Sequence, residues 1–88
     1  MAPRASQVAR QSPRFATEAK QLGLRVRALR HQRRWTLEFA AEVSNLDLKH
    51  LQKLEAGKLN PTLVTLVRIA RGFGEPIASL FKRSRIKK

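Results

Sequence analysis

The apolar positions of the chain fall into short clusters with helical spacing, separated by polar pairs that suit caps and turns. Leu22, Val26 and Leu29 stand at i, i+4 and i+7, one helix face, with Thr17 as a candidate N-cap and Glu18 in the first turn. They predict a first helix over residues 17–33. Thr36, just after Trp35, is a second candidate cap, opening a short helix over 37–43 that ends at Ser44-Asn45, where Asn enters the left-handed region more readily than most residues. Asp47 caps a third helix that reaches Ala56 and is closed by Gly57. Asn60-Pro61-Thr62 then stops one element and starts the next, whose apolar stripe is Leu66, Ile69, Ala70 and Phe73. Gly74 and Pro76 precede a last short helix over 77–81. No segment alternates as a strand does, so the expected fold class is all-α, with five helices.

The ends differ from this middle. Residues 1–16 mix Pro, Ser, Gln, Ala and Arg without apolar periodicity, too little to offset the entropy of ordering, and read as a flexible basic arm. Residues 82–88 carry five positive charges and read as a basic tail, which leaves 17–81 as the folded domain.

Charge changes the picture most. Nineteen Lys and Arg stand against six Asp and Glu, a net +13, and such a field attracts polyanions. The absence of cysteine removes disulfides and thiolate metal sites, and His31 and His50 have no ligand-spaced partners, so no cofactor or metal is expected. The six acidic residues offer no paired carboxylate site beside a His or nucleophile, so an enzyme is not expected either. No apolar run approaches the roughly 20 residues of a bilayer span and no apolar signal core stands at the start, which points to the cytoplasm and its nucleoid rather than a membrane.

Taken in order, several short motifs resemble the Cro and phage-repressor, or XRE-like, helix-turn-helix family. They are Arg30; Thr36-Leu37-Glu38; Ala40-Ala41-Glu42; Leu46-Asp47; Leu54-Glu55-Ala56-Gly57-Lys58; Asn60-Pro61-Thr62-Leu63; and Leu66-Val67-Arg68-Ile69-Ala70. Together they span residues 24–81, about two-thirds of the chain. The resemblance implies a lambda-repressor-like fold in which helices two and three form the helix-turn-helix, and double-stranded DNA as the partner.

The residues support that reading by themselves. At about 100° per residue, Leu48, Lys49, Gln52 and Lys53 fall within roughly 140° of one another, while Leu51 and Leu54 point to the other side. The resemblance places the first four at base edges, where Lys suits guanine, Gln suits adenine and Leu suits a thymine methyl. The bland alternative makes the lysines solvated surface and Leu48 half-buried core. Arg33, Arg34, Thr36, Lys58 and Asn60 are candidates for the phosphate backbone, against the alternative of an ordinary solvated face. The resemblance also implies a largely buried ion pair between Arg30 and Glu55, against the alternative of two ordinary solvated charges. Two positions depart from the family pattern. Leu37 stands where a Gln commonly touches DNA, and Phe39-Ala40 replaces a polar residue followed by a core Leu, so Phe39 is expected to turn inward and fill the space Ala40 leaves, with an exposed apolar contact for a partner as the alternative.

The leading expectation is a sequence-specific transcriptional regulator, a repressor acting as a homodimer on a palindromic operator, the dimer forming on DNA if charge prevents it before. The dimer contact implied by the resemblance involves Glu75, Pro76, Ile77 and Phe81, with core closure as the alternative. Two other functions stay open: an antitoxin-type DNA-binding partner of a toxin protein, and an unspecific basic nucleic-acid-binding protein.

Overall fold

The computed structural model describes residues 13–82; the arm over residues 1–12 and the tail over 83–88 lie outside the described residues. Among the described residues, four α-helices and one 3-10 helix follow in order: α1 (Pro13–Gln32), α2 (Leu37–Val43), α3 (Leu48–Glu55), α4 (Leu63–Phe73) and the 3-10 helix η1 (Ile77–Phe81). There is no strand among the described residues, and no helix there is long and apolar enough to cross a membrane. The expected fifth helix is thus a 3-10 helix of five residues rather than an α-helix.

The first helix starts four residues earlier than its sequence suggests. Proline fits a first helical turn, where its missing N–H is not needed, and Phe15 is half-buried beside Leu59, Pro61 and Phe81. Residues 13–16 therefore extend α1 rather than end the arm, and Thr17 lies exposed within the helix instead of capping it.

All four helices stop in the same way. The residue after each last turn is left-handed (Arg34 at φ 57°, Asn45 at 55°, Gly57 at 74°, Gly74 at 69°), as expected at Asn45. The N–H groups of that residue and the next reach back into the helix, as in Asn45 N to Glu42 O, 3.0 Å, and Leu46 N to Ala41 O, 2.9 Å. Terminal carbonyls are satisfied locally, so the links between helices can be short.

Val26, Leu29, Ala40, Leu51, Leu54, Ile69 and Leu80 form the centre of one core. Helix α3 packs against α1 and α2, α4 against α2 and η1, and η1 folds back onto α1. At Gly23 an added Cβ would lie 2.5 Å from the Leu54 and Glu55 carbonyl oxygens, so the α1–α3 crossing admits no side chain there. Phe39 corrects the expectation for α2. It remains 44% exposed while Ala40 is fully buried, because Leu51, Leu54 and the other core side chains leave no space to fill. Its ring instead lies edge-on to Trp35 at 5.0 Å, and Trp35 in turn lies edge-on to Phe73 at 5.1 Å.

Candidate nucleic-acid interface

Helix α2 is aimed by Thr36, whose hydroxyl accepts from Phe39 N at 3.0 Å and so satisfies one donor of the first turn. The Ser44-Asn45 turn then swings the chain into α3. Asp47 occupies the N-cap position, but its side chain makes no capping bond. Leu51 and Leu54 are buried, and Lys49, Gln52 and Lys53 stand exposed on the far side, so one face of α3 packs while the other is offered to a partner. Leu48 does not share that freedom: it is half-buried against the core cluster. His50 also sits at the edge of the packed side, its Nε2 buried without a hydrogen-bond partner.

The far end of α3 is fixed to α1. Arg30 donates from Nε to Glu55 Oε2 at 2.8 Å and from Nη2 to Oε1 at 3.1 Å, and its Nη1 reaches the Trp35 carbonyl at 2.9 Å. Both side chains are nearly buried, at 11% and 8% exposure. A single guanidinium thus ties α1, the start of α2 and the end of α3 together.

The candidate phosphate ligands divide. Arg34, Thr36, Lys58 and Asn60 are exposed, but Arg33 is not available. Its guanidinium donates to the Leu29 carbonyl (3.0 Å), the Phe73 carbonyl (2.7 Å) and Glu75 Oε2 (2.9 Å), and it lies against the rings of Trp35 and Phe73. Arg33 is a structural clamp that joins the end of α1 to the end of α4 and to Glu75.

One cation was missed. A groove of about 240 Å³ places Arg27, Leu37, Gln52 and Ala56 together along the Arg30–Glu55 pair, and Arg27 is exposed there. The available signal was its spacing three residues before Arg30, which puts both on one side of α1.

Of the candidate dimer residues, Pro76, Ile77 and Phe81 are exposed, but Glu75 is engaged. The Ser79 hydroxyl and the Arg33 guanidinium hold its carboxyl below the ordinary value of 4.5. Arg25 fastens the same corner, donating from Nε to the Ser79 carbonyl at 2.7 Å and from Nη2 to its hydroxyl at 2.9 Å. The larger exposed apolar surface was also missed: Leu63, Val64 and Val67 of α4 are 68%, 59% and 38% exposed.

A family model described as a helix-turn-helix domain matches residues 21–80. No curated protein matches the chain. Among solved structures, the restriction-modification controller protein C.AhdI from Aeromonas hydrophila is similar, with 28% identity and a TM-score of 0.72 over 74% of this chain and 98% of that one.

Proposed function

Because the chain belongs to the XRE-like helix-turn-helix family of DNA-binding transcription regulators, we propose that it acts as a dimer on a palindromic operator and represses by occupying it. The observation that carries sequence-specific reading is the division of α3, with Leu51 and Leu54 buried and Lys49, Gln52 and Lys53 exposed. Arg27, Arg34, Thr36, Lys58 and Asn60 are exposed donors suited to phosphate, and such contacts fix register without reading sequence. The net charge of +13 draws the protein to any duplex, and base contacts then select among them.

The dimer reading is supported by Leu63, Val64, Val67, Ile77 and Phe81, apolar side chains left in water on a strongly charged molecule. A similar protein is a restriction-modification controller, and control of such a gene pair is one role this chain's DNA binding would serve.

The test is selection of bound duplexes from a random pool, with the stoichiometry of the complex measured. An enriched two-fold symmetric sequence carrying two chains is the expected result. A pool without enrichment would leave an unspecific basic binder, and one chain on an asymmetric site would remove the dimer.

A further inference from the structure

Helices α2 and α4 enclose a groove of about 440 Å³ lined by Val43, Ser44, Asn45, Arg68, Arg71 and Gly72. Its floor is tight: a Cβ on Gly72 would lie 2.6 Å from the Val43 carbonyl oxygen and 2.9 Å from Ser44 Cα, so the two backbones touch there. One feature of this groove has no use in the fold. Arg68 and Arg71 are exposed cations without a hydrogen-bond or ion-pair partner among the described residues, and no acidic side chain lines the groove.

We infer that this groove is a binding site for a small phosphate-bearing anion, held by the Arg68 and Arg71 guanidinium groups, with the Asn45 carboxamide as a further partner. Guanidinium forks pair with phosphate oxygens two at a time, and two of them in one concavity favour an anion with several oxygens. The volume exceeds that of a bare phosphate and leaves room for an ester group beside Val43. The site also lies on the Ser44-Asn45 turn that joins α2 to α3. A ligand bridging α4 to that turn stiffens the link that aims the exposed lysines. The site stands independently of the proposed function, and only this effect on DNA binding rests on that reading.

The probes are inorganic phosphate and ribose 5-phosphate, titrated into the free protein against chloride at equal ionic strength and followed by amide NMR shifts. Saturable shifts centred on Ser44, Asn45 and Gly72 are expected. Half-saturation should weaken by about tenfold or more in the double variant Arg68→Gln, Arg71→Gln, and stay unchanged in Lys49→Gln, Lys53→Gln. Shifts spread over all basic residues, or indifferent to the Arg68 and Arg71 changes, overturn the site. A second arm measures duplex binding: if the Arg68 and Arg71 variant lowers the logarithmic salt slope by about two while free phosphate gives only diffuse shifts, these cations serve the DNA backbone and the inference fails.

Discussion

Arg30 and Glu55, 25 residues apart, meet through two parallel hydrogen bonds of 2.8 and 3.1 Å in a nearly buried position, and this pair sets where the far end of α3 lies. Glu55→Ala leaves the guanidinium with one acceptor, the Trp35 carbonyl. The expected loss is about 3 kcal/mol. In a domain of this size that lowers Tm by roughly 12–24 °C, read by circular dichroism. The paired change Arg30→Met, Glu55→Leu should lose much less, because it leaves no unpaired buried charge. Equal losses would mean that the stability comes from packing around the pair rather than from the pairing.

Glu75 gives the fold a pH dependence. Its carboxyl lies below the ordinary 4.5 because the Ser79 hydroxyl and the Arg33 guanidinium stabilise its charged form. A lowered folded value means that its contribution is complete above 4.5 and is lost as pH falls below it. Wild type should therefore be more stable than Glu75→Gln near neutrality, and the difference should shrink at about pH 3. A difference in Tm that is the same at both pH values would show that Glu75 acts without its charge.

Lys49→Ala and Lys53→Ala test whether the exposed face of α3 reads bases. Each should weaken binding at the selected site by about 1–3 kcal/mol and narrow the preference over random duplex. Equal weakening on both duplexes would reassign the lysines to phosphates.

Much of this was legible because local chemistry fixes it. Thr36, Asn45 and Gly57 mark helix ends through their own backbone preferences, and the alternation of Leu51 and Leu54 with Lys49 and Lys53 needs only the helical period. What was not legible depends on neighbours distant in sequence. Arg33 looks like a free cation until folding brings the Phe73 carbonyl and Glu75 to it, 40 and 42 residues later. Phe39 looks like core until Ala40 is seen to be fully enclosed without it. The start of α1 was hidden because Thr17 and Glu18 imitate a cap, while Phe15 borders one groove with Leu59 and Pro61 only once the chain has folded. The exposed stripe of α4 did leave a trace: Leu63, Val64 and Val67, added to Leu66, Ile69 and Phe73, are more apolar positions than one core-facing stripe requires.

Arg34 separates stability from DNA binding at one position. Its φ of 57° is strained for a residue with a Cβ, by about 1–2 kcal/mol. Glycine relieves that strain but loses about 0.5–1 kcal/mol through the unfolded chain, so Arg34→Gly should gain about 0.5–1 kcal/mol in denaturant unfolding. If the exposed guanidinium contacts a phosphate, the same variant loses about 0.9 from the logarithmic salt slope of duplex binding. An unchanged slope would remove Arg34 from the interface.

The apolar stripe of α4 provides the test of dimeric binding. One recognition helix touches only a few base pairs, and about 1–3 kcal/mol of discrimination at each is too little to single out a site in a genome. Two copies related by a two-fold axis would put their α3 helices in successive major grooves, about 34 Å apart. Leu63 and Val67 are exposed and so contribute little to the core of one chain, while burying them against a second copy would gain affinity on DNA, where charge repulsion between +13 molecules is neutralised. Leu63→Ser, Val67→Ser should therefore leave Tm nearly unchanged and weaken binding to a symmetric site by about tenfold or more. Sedimentation with a duplex carrying both half-sites should then show single-chain complexes accumulating where wild type passes directly to two chains. Two-chain complexes at unchanged concentration would place the contact elsewhere, with Pro76, Ile77 and Phe81 the next residues to substitute.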